Sequence, residues 1–240
     1  MTPSSTKYWA VIPAAGVGSR MGSDTPKQYL PLNGRKVIEH TLQTLLAHPR
    51  ISGAVVAVSE TDQWWGTVRI DSDKPVYKAN GGSERCHSVL NALELLSQYA
   101  GVHDWVLVHD AARPCVHLED IDRLITELAD HPSGGLLAMP VRDTMKRADA
   151  RHYVEITEDR TGLWHALTPQ MFHLKLLIDA LQRALDSHTM VTDEAQAVEM
   201  TGARPLLVEG RADNVKITRP EDLQLAAFYL LQREAQDSAR

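Results

Sequence analysis

The chain has 240 residues, 43% hydrophobic and 23% charged, with 25 basic against 31 acidic side chains and a formal net charge of −6. That length suits one α/β sheet with an insertion and a sizeable core. An acidic balance gives no global attraction to nucleic acid or to an anionic membrane, so any anion site must be built locally.

The two cysteines, Cys86 and Cys115, make neither a disulfide framework nor a CxxC pair. The 11 histidines include no HxxxH or HExxH spacing. The apolar stretch from Tyr8 to Ala15 is too short to cross a bilayer and follows no basic segment, so the expected location is cytoplasmic.

Trp9 to Pro13 reads as a first buried strand, followed at once by glycines. Val37 to Ala47 places Val37, Ile38, Leu42, Leu45 and Leu46 at helical spacing. Ala54 to Val58 is a valine-rich run and a second buried strand. Arg85 to Leu96 is helical, and Trp105 to Val108 is a strand ending at His109-Asp110. Leu118 to Ala129 is a helix with Ile121, Leu124, Ile125 and Leu128 inward. Leu136 to Val141 is a further strand. This alternation predicts an α/β fold, a mainly parallel sheet flanked by helices.

The pattern breaks after Pro140. Arg142 to Arg160 is polar, with β-prone pieces at Thr144 to Lys146 and Tyr153 to Ile156 around a turn at Asp149-Ala150. This is a projecting β-hairpin arm. Isolated hairpins are marginal in water, so the arm packs on something, and a second copy of the chain is the simplest partner. Helices are expected at Leu174 to Leu185 and Asp193 to Met200, and strands at Pro205 to Glu209 and Asn214 to Ile217. Pro220 opens a last helix to about Gln232, before a frayed polar tail. The expectation is a single domain over 1–240, with the arm inserted at about 142–160.

Three motifs carry chemistry. Pro13 to Gly22 follows a strand, where small residues let the backbone approach phosphate oxygens. No GK[ST] closes it as a Walker loop, and Met21 stands where a dinucleotide fingerprint needs its third glycine. Arg20 inside it and Lys27 just beyond point to a triphosphate, against the plain alternative of a glycine-rich turn. Gly81 to Ser88 sets paired glycines before a helix N-terminus, an anion-friendly surface or simply a loop with Ser83 as cap. His109 to Pro114 puts Asp110 at a strand end, where one carboxylate plus substrate phosphates suffices for Mg²⁺; a turn cap is the alternative. Asp143-Thr144, Arg160, Thr168, Thr192 to Glu194 and Lys216 are weaker signals, with solvated surface or helix caps as the alternative.

Together these motifs resemble the nucleotidyltransferase superfamily, with its Rossmann-like sheet, and within it the 2-C-methyl-D-erythritol 4-phosphate cytidylyltransferase family. The resemblance rests on PAAGVGSRM (Pro13 to Met21), PKQY (Pro26 to Tyr29), GGSERCHSV (Gly81 to Val89), HDAARP (His109 to Pro114), VRDTMKR (Val141 to Arg147), LTPQ (Leu167 to Gln170) and NVKIT (Asn214 to Thr218). It implies that Ala14, Ala15, Gly16, Gly82, Ser83 and Ser88 contact CTP. It implies that Arg20 and Lys27 stabilise the transition state and that Asp110 takes Mg²⁺. Arg113, Thr144, Arg160, Thr168, Thr192 and Lys216 would line the acceptor side, Arg160 and Lys216 holding the attacking phosphate. It also implies a homodimer through the arm. Ser83 departs from the family, whose members often carry an acidic residue there. Ribitol 5-phosphate cytidylyltransferase, a dinucleotide-dependent oxidoreductase and a non-catalytic nucleotide-binding module are the competing readings.

Overall fold

The structure, a computed structural model, describes residues 6–16 and 25–238. The chain runs through β1 (Tyr8–Pro13), a 3-10 turn (Lys27–Tyr29), β2 (Pro31–Leu32), β3 (Arg35–Lys36), α1 (Val37–Ala47), β4 (Ile51–Val58), β5 (Val76–Asn80) and α2 (Arg85–Leu96). It continues through β6 (Trp105–Val108), α3 (Leu118–Leu128), β7 (Gly135–Pro140), β8 (Met145–Ala148), β9 (Val154–Glu158), β10 (Trp164–His173), α4 (Leu174–Asp186), α5 (Glu194–Glu199), β11 (Leu206–Glu209) and α6 (Pro220–Ser238).

Seven strands form the central sheet, in the order β11-β7-β10-β6-β1-β4-β5. All its pairings are parallel except those of β10, which runs antiparallel to both β6 and β7. The chain steps from β1 outward to β4 and β5, then returns to β6 on the other side of β1. Loops diverge at such a switch point, and a crevice opens beyond the strand ends. The loops after β1, β5 and β6 all leave from that edge.

Alternation along β1 divides the core. Trp9 and Val11 face α2, α4 and α5, packing with Val89, Leu93, Leu96, Leu177 and Leu181. Ala10 and Ile12 face α1 and α3, packing with Ile38, Leu42, Ile121 and Leu124. Each such large aliphatic side chain contributes about 1.5–3 kcal/mol by leaving water. A third, smaller cluster joins α6 through Ala226 and Leu230 to Cys115 and Ile217.

The structure reproduces the mainly parallel sheet flanked by helices, adds the unexpected edge strand β5, and corrects three further details. First, the long strand β10 was not expected. Pro169 lacks a donor, and the pairing with β7 shifts between Ala166 and Gln170, so the segment shows no clean alternation. Second, Asn214 to Ile217 is no strand. It is an irregular segment tied by the Ile217 amide to the Ala112 carbonyl at 2.9 Å. Third, α6 runs on to Ser238 instead of fraying after Gln232. At α5, the Asp193 side chain caps the helix by accepting the Gln196 amide at 2.9 Å.

The arm is the two-stranded antiparallel sheet of β8 and β9, separate from the main sheet. Tyr153, Val154 and Ile156 on it are 69%, 62% and 54% exposed, so none of them joins the core of its own chain.

Candidate active site

The first wall is the end of β1. The Ala14 amide donates to the Ala57 carbonyl at 2.7 Å, continuing the β1–β4 ladder by one residue. Buried Gln28 then pins the loop, its Nε2 donating to the carbonyls of Ala14 and Gly16 at 2.6 and 3.1 Å.

The second wall is the loop between β5 and α2. The Gly81 amide donates to the Val58 carbonyl at 2.7 Å, and a Cβ on Gly81 would lie 2.2 Å from the Ala15 Cβ. The two walls therefore touch at a point that only glycine allows. The Ser88 hydroxyl accepts the Gly82 amide at 3.0 Å and donates to the Glu84 carbonyl at 3.2 Å. Ser88 thus shapes the glycine loop from within the helix. Ser83 does not cap α2; Glu84 holds that position, and the Ser83 hydroxyl lies 3.0 Å from His87 Nδ1.

Between the walls lies a cavity of about 300 Å³, lined by Ala14, Ala15 and Gly16 on one side and Gly82, Ser83 and Ser88 on the other. Lys27, Arg85, Asp110 and Lys216 also line it. Lys27 enters from the 3-10 turn, with its ammonium donating to the Ile217 carbonyl at 2.8 Å.

Asp110 is the electrostatic centre. Its Oδ1 is 3.1 Å from Arg85 Nε, and its Oδ2 is 2.7 Å from Lys216 Nζ and 3.6 Å from Arg113 Nε. Burial alone would raise its pKa, but the attraction of Arg85 and Lys216, then Arg113, holds the carboxyl well below the usual range. It is ionised at any physiological pH.

Behind it, the Asp110 amide donates to Thr168 Oγ1 at 3.2 Å, and Thr168 Oγ1 lies 2.9 Å from His109 Nδ1. His109 Nε2 donates to the Arg113 carbonyl at 3.0 Å, so Nδ1 is the acceptor in the neutral ring. Burial pushes the His109 pKa down to about 4, keeping that tautomer in place. Arg113 Nη1 donates to the Asn214 carbonyl at 2.6 Å, and Asn214 Nδ2 donates to the Thr168 carbonyl at 2.7 Å. The Asp110 turn is thereby locked to β10 and to the segment before α6.

The cavity gathers Ala14, Ala15, Gly16, Lys27, Gly82, Ser83, Ser88, Asp110 and Lys216, all expected site residues. Arg113 and Thr168 are buried just behind Asp110 rather than in the lining. Thr144, Arg160 and Thr192 are exposed and stand outside it. The Arg160 guanidinium donates to the Arg142 carbonyl at the base of the arm. The Thr192 hydroxyl donates to Gln196 Oε1 at 3.1 Å. Arg20 falls outside the described residues.

Sequence reasoning passed over Arg85 and Gln28, and left Glu194 among the weaker signals. The first two lie inside quoted motifs, and their signal was a cation opening a helix and an amide beside a lysine. Among the described residues no three His, Cys, Asp or Glu side chains are grouped to hold a metal, so a divalent cation here would rely on Asp110 and on oxygens of a bound ligand. Among the same residues no helix is long and apolar enough to cross a membrane.

The family model for 2-C-methyl-D-erythritol 4-phosphate cytidylyltransferase, IspD, matches residues 8–232. The chain belongs to this cytidylyltransferase family. The matched span includes both cavity walls, Asp110, the arm and Lys216. The cytidylyltransferase of Vibrio vulnificus strain YJ016 is 54% identical over 230 residues, covering 96% of this chain and 97% of the relative. That of Pseudomonas putida strain W619 is 56% identical over 218 residues, covering 90% and 93%. The crystal structure of the Francisella tularensis enzyme superposes with a TM-score of 0.81 at 35% identity, covering 93% of this chain and all of the other (100%). These relatives are named for methylerythritol phosphate rather than ribitol phosphate, and as cytidylyltransferases rather than oxidoreductases or binding modules.

Proposed function

We infer that the protein transfers CMP from CTP to 2-C-methyl-D-erythritol 4-phosphate, releasing pyrophosphate, as a step of non-mevalonate isoprenoid precursor synthesis. The observation that carries this reading is the small-residue cavity that Lys27 lines and in which Arg85 and Lys216 pair with one ionised aspartate. Such a site neutralises phosphate charge.

CTP lies between the wall of Ala14, Ala15 and Gly16 and the wall of Gly82, Ser83 and Ser88. The acceptor's phosphate oxygen attacks the α-phosphorus in line. A phosphate monoester has its second pKa near ~6 and is already anionic at neutral pH, so no general base is needed. Catalysis is positioning and charge neutralisation. Lys27 and Arg20 offset charge growing on the α-phosphate and on the departing pyrophosphate. Lys216 holds the incoming phosphate.

Asp110 fits a Mg²⁺ ion in the one-carboxylate mode: it is ionised, it lines the cavity, and its Lys216 partner sits on a flexible stem. When bound there, the ion would supply charge neutralisation to the triphosphate.

The acceptor side is completed by Arg113, Thr168 and Thr192 of the same chain and by Thr144 and Arg160 on the arm of a second copy. The apolar exposure of Tyr153, Val154 and Ile156 supports that homodimer. The chain acts as one cytoplasmic nucleotidyltransferase domain with the arm as its insertion.

The reading is tested by measuring pyrophosphate release with each of four nucleoside triphosphates, Mg²⁺ and either methylerythritol phosphate or ribitol 5-phosphate. Turnover is expected with CTP and methylerythritol phosphate. Preference for ribitol 5-phosphate, or CTP binding without pyrophosphate release, would overturn it.

A further inference from the structure

Arg85 makes the most constrained contact to Asp110. It is the first residue of α2 and reaches into the cavity. Its Nη1 and Nη2 donate to the two carboxylate oxygens of Glu194 at 2.6 and 3.0 Å, while its Nε donates to Asp110 Oδ1 at 3.1 Å.

Glu194 is itself fixed. Its side chain is 1% exposed, and the residues on either side of it are tied to β10. The Ala195 amide donates to Gln170 Oε1 at 2.8 Å, and Gln170 Nε2 donates to Asp193 Oδ2 at 2.9 Å. A planar guanidinium with both terminal nitrogens committed to a fork has one direction left for its Nε.

The two oxygens of Asp110 are therefore held differently. Oδ1 is gripped by a rigid donor anchored in the core. Oδ2 is met by Lys216, whose side chain is 38% exposed on a flexible stem, and by Arg113 at 3.6 Å without a hydrogen bond.

We propose that Arg85 and Glu194 are positioning residues that fix the direction of the Asp110 carboxylate, leaving Oδ2 as the oxygen offered to a divalent cation. The proposal rests on the reading of Asp110 as the metal-binding residue. Arg85 holds the carboxylate through one oxygen without occupying the other, and Glu194 keeps Arg85 from turning away when a nucleotide enters.

A buried ion pair can also serve packing alone, here between α2 and α5. The two roles separate cleanly. Breaking a buried pair by removing one partner is disruptive, whereas replacing both with apolar side chains is often neutral. A merely structural pair is therefore dispensable in the double variant, and a positioning pair is not.

The experiment compares the full-length wild type with the double variant R85M/E194M, with E194Q and with D110N. It reads thermal unfolding, Mn²⁺ binding in the presence of CTP by electron paramagnetic resonance, and CTP affinity without metal by calorimetry. The double variant is expected to unfold near the wild-type temperature and, with CTP held saturating at the affinity measured for each protein, to bind Mn²⁺ roughly 10–100-fold more weakly, as outer residues around metal ligands do. E194Q keeps shape and one acceptor oxygen and is expected to lose less, in the same direction. It decides the matter if the double variant does not fold. Wild-type Mn²⁺ affinity in the folded variant overturns the proposal. If D110N also keeps wild-type Mn²⁺ affinity, the metal reading of Asp110 has failed. If D110N weakens Mn²⁺ binding and R85M/E194M does not, only the positioning role has failed.

Discussion

The cavity and the arm are built on opposite terms. At the cavity, charged groups are buried and their partners lie in the same chain: Asp110 is 7% exposed, and its three cationic neighbours come from α2, from the turn after β6 and from the segment before α6. At the arm, Met145 and Ile156 are 37% and 54% exposed, and the two-stranded sheet is separate from the main one. One region is finished by its own chain, and the other, in the proposed homodimer, by a partner. The nucleotide half of the proposed site belongs to the first region, and Thr144 and Arg160 belong to the second. A substitution in the cavity should therefore damage chemistry in every assembly state, while one on the arm should act only where two chains meet.

The largest effect is expected at Lys27. Lys27→Ala should lose roughly 10²–10³-fold in kcat, the scale seen when one preorganised charge stabiliser is removed. Steady-state pyrophosphate release checks this, and near-normal turnover would remove Lys27 from the transition state. Arg160→Ala should be milder and directional. Loss of one charged hydrogen bond is worth about 1.5–3 kcal/mol. That corresponds to roughly ten- to a hundredfold in kcat/KM for the acceptor, with CTP affinity by calorimetry unchanged. A fall in CTP affinity of the same size would mean that the arm is not an acceptor-side element.

The smallest effect concerns the scaffold behind Asp110. Unfolded, the His109 side chain takes its proton near its ordinary 6.5; folded, it does so only near 4. Its contribution to stability is complete above pH 6.5 and is lost as pH falls toward 4, at up to about 1.4 kcal/mol per pH unit. Urea unfolding at pH 7 and pH 5 should show a steeper acid loss in the wild type than in His109→Asn. Equal slopes would mean that His109 is not held neutral by its burial between Thr168 and Arg113.

Legibility in the sequence followed the same division. Helices α1 and α2 and strand β6 match the expected spans end for end, because each is a short apolar run whose period and boundary residues agree. The cavity was legible because its glycines and cations sit in contiguous motifs at strand ends. Strand β10 was not, because its place between two antiparallel neighbours is dictated by tertiary pairing across Pro169 rather than by local pattern. The role of Glu194 was illegible for a similar reason: a carboxylate 109 residues from its arginine looks like an ordinary helix start until the fold brings them together. Arg160 and Thr144 were weak signals that only the family resemblance turned into site residues, and a single chain leaves them exposed.

The sharpest test of a site divided between two chains is complementation. Lys27→Ala protein has a damaged cavity and a sound arm, and Arg160→Ala protein has the reverse. Mixed in equal amounts, unfolded and refolded together, the two should form heterodimers in which one of the two sites is wild type. Random pairing then restores up to about a quarter of wild-type pyrophosphate release, well above either variant alone. Activity of the mixture no greater than the mean of the two separate variants, with heterodimers demonstrated by differential tagging, would contradict a shared site and confine the acceptor contacts to one chain.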